Sequence, residues 1–193
     1  MAHSQPTLEP DDDAELVLRV GEGDVAAYRE LVGRHAGKLR RFAERLLRDG
    51  TEAEDVVQET FLRLWQHAGE YSPKARVTTW LHRIAHNLAV DRLRGRGRLA
   101  ALGDDDDVPI SAPQPVLLDR ARRAHALEAA MAELPERQSA ALTLVHLHDL
   151  SGAEACEVLG VGTEALESLL ARGRRRLKTI LASQSDPDSG RTP

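Results

Sequence analysis

Residues 77–98 read VTTWLHRIAHNLAVDRLRGRGR, and the fold is decided there. Trp80, Leu81, Ile84, Ala85, Leu88 and Leu93 recur at three- and four-residue steps, the spacing of one apolar stripe along a helix. Thr78 or Thr79 is placed to cap its start. Arg83, His86, Asn87 and Val90 fall on another face. Arg92, Arg94, Arg96 and Arg98 crowd the exit, which Gly95 and Gly97 loosen. A core face, a polar reading face and a cationic end on one helix point to nucleic acid as a partner.

Around this helix the composition is that of a globular chain. Its 193 residues are 41% hydrophobic and 30% charged, enough for one ordinary domain or two small ones. No run of alternating β-branched residues occurs, so the expected class is all-α. The net charge of −5 looks unfavourable for binding nucleic acid. It is dominated, however, by two acidic runs, Asp11–Asp13 and Asp104–Asp107, and without those seven aspartates the balance turns positive. Local potential steers binding more than the net value does. The single Cys156 allows no internal disulfide and points to a reducing compartment. No apolar run is long enough to span a membrane, and MAHSQPTLEPDDD lacks the blocks of a signal peptide. A cytoplasmic protein is expected.

Towards the N-terminus, residues 1–12 read as a disordered tail, followed by a short helix from Asp13 to Val20. Asp24 caps a long helix that buries Tyr28, Leu31, Val32, His35, Leu39, Phe42, Leu46 and Leu47. Asp49-Gly50 stops it. Thr51 and Glu54 have the spacing of a capping box. The helix they open buries Val56, Val57, Phe61, Leu64 and Trp65 and turns an acidic, polar face outward: Glu52, Asp55, Gln58 and Glu59. Taken alone, such a face is a solvated one.

Towards the C-terminus, residues 99–116 lack periodicity and carry Asp104–Asp107 with three prolines, the pattern of a flexible acidic linker between two domains. Helix resumes at Leu117, with Ala121, Ala124, Leu127, Ala130, Met131 and Leu134 inward. Pro135 suits a first helical turn, and Ala141, Leu142, Val145 and His148 face in. Ser151 and Glu154 form a second capping box. The helix that follows ends at Leu159-Gly160-Val161, and another runs from Thr163 to Leu181. This is a helix-turn-helix pattern, with Cys156 as a small packing residue and a cationic end at Arg172, Arg174, Arg175, Arg176 and Lys178. Residues 183–193 read as a second tail.

Catalytic patterns are missing from the chain. His82 and His86 stand four apart, but Arg83 occupies the place of the general-base Glu of a zinc protease, and no third ligand is evident. His146 and His148 point to different sides of a helix. No phosphate-cradling loop or nucleophile elbow occurs. No enzyme, cofactor or metal is expected.

Three longer stretches, AEDVVQETFLRLW (53–65), TTWLHRIAHNLAVDRLR (78–94) and LPERQSAALTLVHLHDLSGAEACEVLG (134–160), precede LLARGRRRLK (169–178). Together they resemble bacterial RNA polymerase sigma factors of the extracytoplasmic-function (ECF) group, over about residues 24–98 and 127–181. The resemblance implies a region-2-like domain at 13–98, a linker at 99–116 and a region-4-like helix-turn-helix domain at 117–182. It also implies an initiation subunit that binds core polymerase, directs it to particular promoters and assists melting, with an anti-sigma factor as a probable partner of the kind such proteins have.

On this resemblance Asp55, Val56, Val57, Gln58 and Glu59 dock on the clamp helices of the largest polymerase subunit. Tyr71, Arg83, His86, Asn87, Arg92, Arg94 and Arg96 lie near the single-stranded −10 element, and the loop from Gly69 to Val77 forms a pocket for a flipped base. Capture of a base has to offset its unstacking, and stacking on an aromatic ring returns about 1–3 kcal/mol per base. Ser151, Thr163, Glu164, Glu167, Ser168, Arg172, Arg174 and Arg175 face the −35 duplex. Many members carry a cation where this chain has Glu167. Either Glu167 accepts from a cytosine amino group or it points away from DNA. Asp104–Asp107 either enters the basic polymerase cleft or is a solvated spacer.

Overall fold

The computed structural model describes residues 12–72, 75–100 and 119–185. The N-terminal tail through Asp11, the Asp104–Asp107 run, the resumption of helix at Leu117 and residues 186–193 lie outside them. The side chains of Arg98, Ala121 and Ala124 do so too. Every regular element among the described residues is helical: α1 (Asp12–Gly21), α2 (Val25–Leu47), α3 (Gly50–His67), α4 (Val77–Ala100), α5 (Asp119–Ala132), α6 (Glu136–Leu142), α7 (Gly152–Leu159) and α8 (Thr163–Ser185).

Helices α1–α4 form the first bundle. Asp24 caps α2 as expected, its carboxylate accepting from the amides of Ala26 and Ala27 at 2.8 and 3.1 Å. The next cap differs from expectation. Asp49, extended at φ −142° and ψ 116°, accepts from the Glu52 amide, so α3 begins at Gly50 and Thr51 lies inside it. A carboxylate in extended backbone is at least as good a cap as threonine, and here it comes first along the chain. Neither Thr78 nor Thr79 caps α4, which starts at Val77.

The core stripe of α4 also shifts. Val77, Leu81, Ala85 and Ala89 are fully buried, whereas Trp80, Leu88 and Leu93 are half-buried against the core and Ile84 is half-buried beside them. Small residues at 85 and 89 let α2 and α3 approach from both flanks, and the larger side chains spread over the rim. Gly95 and Gly97 do not loosen the exit, for the helix continues to Ala100. Phe42, Leu31, Leu39, Leu47 and Leu64 complete this core; each such side chain contributes roughly 1.5–3 kcal/mol by leaving water.

Helices α5–α8 form the second bundle. Pro135 stands just before α6 as its cap residue rather than in its first turn. Beyond Leu142 the helix widens into a π turn, Thr143–Leu147, closed by the His148 amide on the Thr143 carbonyl at 3.0 Å. Ser151 caps α7 in a complete capping box with Glu154, and Gly160 ends it at φ 62°. Helix α8 packs along α5 and α6, with Leu127, Met131, Leu134, Leu142, Leu170, Leu177 and Ile180 between them. The two bundles are in contact, because α7 lies against α4 and α6 against α2.

Gly21 closes α1 against the turn after α3. A Cβ at this position would sit 3.1 Å from the Cα and amide nitrogen of Gly69, which are backbone atoms. Gly21→Ala is therefore expected to destabilise the chain by about 1–3 kcal/mol. A urea titration checks it: the midpoint falls and the slope stays unchanged.

Candidate nucleic-acid and partner interface

On α3, Asp55 and Gln58 are exposed and Val57 half-buried. Glu59 is half-buried and accepts from the Arg63 guanidinium at 2.9 Å. Val56 is fully buried, so it shapes this surface from beneath and touches no partner. Trp65, expected in the core, is 38% exposed and Leu62 48% exposed. The Trp65 ring leans edge-on against Tyr28, with centroids 5.2 Å apart. The acidic face thus runs on into an apolar one. The i, i+4, i+7 spacing of Gln58, Leu62 and Trp65 carried that signal in the sequence.

The turn after α3 folds back on α4. The Tyr71 hydroxyl donates to the Ala75 carbonyl at 3.0 Å, and its ring lies against Trp80 with centroids 5.4 Å apart. Both rings line an open cavity of about 560 Å³ with Arg63, His67, Arg83 and Ile84. Glu157 of α7 stands on the opposite wall, and Arg83 donates to it at 2.9 Å.

Further along α4, Asn87 and Arg94 are exposed. His86 is half-buried, with Nδ1 unpartnered among the described residues; burial lowers its pKa, the neighbouring Asn87 amide opposes the shift and Arg137 adds to it. Arg92 is half-buried, with one guanidinium nitrogen unpartnered among the described residues. Arg96 is engaged inside the fold, contrary to the sequence expectation. It donates to Glu52 and to the Leu47 carbonyl, at 3.1 and 2.9 Å. A guanidinium within reach of a carboxylate and a helix-terminal carbonyl is held by both, so Arg96 ties α4 to the α2–α3 turn. Glu52 is thereby withdrawn from the acidic face.

In the second bundle Ser151 is occupied by its cap. Thr163, Glu164, Glu167, Arg172, Arg174 and Arg175 are exposed along α8, and Ser168, half-buried, accepts from Arg172 at 2.6 Å. Leu166 is buried beneath them, so the exposed row rests on a packed helix. No group of three or more metal-ligating side chains is assembled among the described residues.

Sequence reasoning missed what lies between the bundles. His82 of α4 and His148 at the end of the π turn are both buried, Nε2 of the first 2.8 Å from Nδ1 of the second. His82 Nδ1 is 2.8 Å from the Thr78 carbonyl, which only accepts. His82 therefore carries its proton on Nδ1, its Nε2 is an acceptor, and His148 donates from Nδ1. That leaves His148 Nε2 as a buried lone pair without a partner among the described residues. Desolvation pushes His82 down to about 4, the Thr78 carbonyl opposing it. Desolvation, then His82 and the cations Arg45, Lys38 and Arg41, push His148 down to about 3. Beside the pair, Thr79 Oγ1 donates to Glu154 at 2.9 Å.

The chain matches the family descriptions "Sigma-70 region 2" over residues 31–99 and "Sigma-70, region 4" over residues 124–177. It is 37% identical over 185 residues to the ECF RNA polymerase sigma factor SigE of Mycolicibacterium smegmatis, covering 94% of this chain and 72% of that one. It is 34% identical to SigM of Mycobacterium tuberculosis, covering 88% and 84% respectively. Among solved structures, it resembles the sigma factor RpoE from Bartonella quintana in complex with the anti-sigma factor NepR. The TM-score is 0.69 at 25% identity, over 82% of this chain and 98% of that one. It also resembles CnrH in complex with the cytosolic domain of CnrY, with TM-score 0.65 at 25% identity, over 89% and 97%.

The histidine pair makes stability depend on pH. Free histidine titrates near 6.5, and the folded rings titrate near 4 and 3. Between those values the unfolded chain binds more protons, so stability is complete above about pH 6.5 and falls as pH drops towards 4. Urea titrations between pH 7 and 4.5 are expected to show it, with a slope of up to about 1.4 kcal/mol per pH unit for each ring that stays neutral. The ring NMR signals of His82 and His148 are expected to hold neutral positions down to about pH 5.

Proposed function

The chain belongs to the ECF group of RNA polymerase sigma factors, and from that premise we propose how its surfaces divide the work of initiation. Residues 13–98 carry the core-polymerase and −10 surfaces, and residues 117–182 the −35 surface, with 99–116 between them. Asp55, Gln58 and Glu59 meet cations of the clamp helices, and Leu62 and Trp65 extend that contact with apolar surface. The observation that carries this reading is the α3 face itself, acidic at one end and apolar at the other. A freestanding helix-turn-helix regulator has no use for it.

On α4, Asn87 and the Tyr71–Trp80 cavity select the melted strand, while Arg94 holds its backbone. On α8, Arg172, Arg174 and Arg175 meet phosphates and base edges of the duplex, and Glu167, exposed on the same helix, is placed to accept from a cytosine amino group. The protein is a cytoplasmic specificity subunit and not an enzyme, since the polymerase supplies the catalytic residues. An anti-sigma factor controls it, a partner supported by the solved relative from Bartonella quintana that is held by one.

Run-off transcription with and without core enzyme tests the class: transcripts from promoter DNA are expected only when core enzyme and this chain are both present. Asp55→Arg is expected to weaken core binding by at least about tenfold, as loss of a charge-assisted contact does, while duplex binding through α8 is unchanged. Arg94→Ala is expected to weaken all promoters alike. Asn87→Ala is expected to change which promoters are used.

A further inference from the structure

Helix α4 keeps its turns through Gly95 and Gly97, although a helical glycine is disfavoured about four- to fivefold against alanine. Leu93 is the last apolar side chain of α4 seen packed on the core. Beyond it, among the described side chains, Arg96 supplies the hold. All three of its guanidinium nitrogens are engaged. Nε and one terminal nitrogen meet Glu52 at 3.1 and 2.7 Å, the same terminal nitrogen stands 3.7 Å from Asp49, and the other donates to the Leu47 carbonyl at 2.9 Å. Those partners are the last residue of α2, the cap of α3 and the first turn of α3. A planar fork that satisfies a carboxylate and a helix-terminal carbonyl together fixes direction as well as distance.

Arg94, read above as the group that holds the backbone of the melted strand, has no such clasp. Its guanidinium is 3.8 Å from Asp91 of the same helix, and the two side chains are 77% and 73% accessible. An exposed pair of this kind contributes little, so the helix backbone beneath Arg94 sets where it points. The turn that follows Arg94 contains both glycines. Residues two apart on a helix face nearly opposite ways, and Arg96 is turned into the fold where Arg94 is turned out of it.

We propose that Arg96 is a positioning residue for promoter DNA and not a contact: by clasping the α2–α3 turn it keeps the Gly95–Gly97 exit helical and so holds Arg94 towards the phosphates of the −10 strand. The proposal rests on the sigma-factor reading of α4 given above. Arginines two residues apart thereby do different jobs, one on the DNA and one on the helix that presents it.

Holoenzyme is reconstituted from core enzyme and each full-length variant at saturating concentration. It is titrated over a salt series against a fluorescein-labelled fragment of the promoter on which the wild type gives its strongest run-off transcript. Arg96→Ala is expected to bind about fivefold more weakly, the factor by which one unsupported glycine disfavours the helix. The fall of log K with log salt is expected to become shallower by about one, as loss of one phosphate contact makes it. Adding Gly95→Ala is expected to restore both, since a Cβ at Gly95 meets nothing within 4 Å and alanine stiffens the exit without a clash. In the wild-type background Gly95→Ala is expected to change little. Glu52→Ala reaches the same clasp from the other side. It removes a negative charge, which general attraction to DNA would turn into tighter binding, yet weaker binding and a shallower slope are expected. An Arg96 that touched DNA itself would be released by Glu52→Ala and bind tighter. Tighter or unchanged binding with Glu52→Ala overturns the proposal. So does a failure of Gly95→Ala to rescue Arg96→Ala, or an equal gain from Gly95→Ala in the wild type. Weaker binding by Arg96→Ala at an unchanged slope is a loss of stability alone and overturns it as well. If the wild type gives no core-dependent transcript, the sigma-factor reading fails and this role with it; if transcripts form and the slopes do not move, the role of Arg96 alone is wrong.

Discussion

Helix α4 has to keep side chains from water on two opposite sides, and the rest of the structure follows from how it does so. One side is apolar, with Val77, Leu81, Ala85 and Ala89 against α2 and α3. The other carries His82 and Thr79, which cannot be buried against hydrocarbon without partners, with the exposed Arg83 at its edge. They obtain those partners from the second bundle: His148 from the π turn, Glu154 and Glu157 from α7. These polar pairs sit within an apolar core that runs on from α1–α4 into α6, α7 and α8, through Ala141, Leu144, Ala155 and Val158.

The π turn is the device that closes the contact between the bundles. A regular α-helix through Thr143–Leu147 would carry the following residues further around its axis. The wider turn holds His148 where its Nδ1 reaches His82, and the left-handed Asp149 at φ 57° turns the chain back towards α7. Single π turns often occur at functional positions. Here the turn also leaves Thr143 Oγ1 and His148 Nε2 without partners among the described residues, as expected of a local geometry that long-range contact imposes on the sequence.

Local signals were legible in the chain and long-range ones were not. The caps at Asp24 and Ser151, the stop at Gly160 and the helix-turn-helix spacing depend on neighbours within a few residues, and each appears where the pattern puts it. The cap at Asp49 was misassigned to Thr51 because both residues suit the role, and backbone conformation decided between them. Trp65 joins an apolar stripe by spacing, but the space beneath it is taken by Tyr28 and Phe61, so the indole leans outward. The inward face of His148 was legible, but its partner and that of Arg96 were not. Their partners, Glu52 and His82, lie 44 and 66 residues away, and no periodicity marks a pair so far apart.

Glu154 shows how tightly the two bundles are coupled. One carboxylate oxygen completes the capping box of α7 by accepting from the Ser151 amide and hydroxyl, at 2.8 and 2.7 Å, and the other accepts from Thr79. The group that fixes the first turn of the helix-turn-helix is therefore the group that seats it on α4. Burial alone would raise its pKa, but the Ser151 and Thr79 donors, with Arg76 nearby, hold it below the usual carboxylate value. Its bonds to Ser151 are independent of Thr79, so the cap of α7 does not depend on the first bundle. The seat of α7 on α4 is thus a second use of a group whose first use is local.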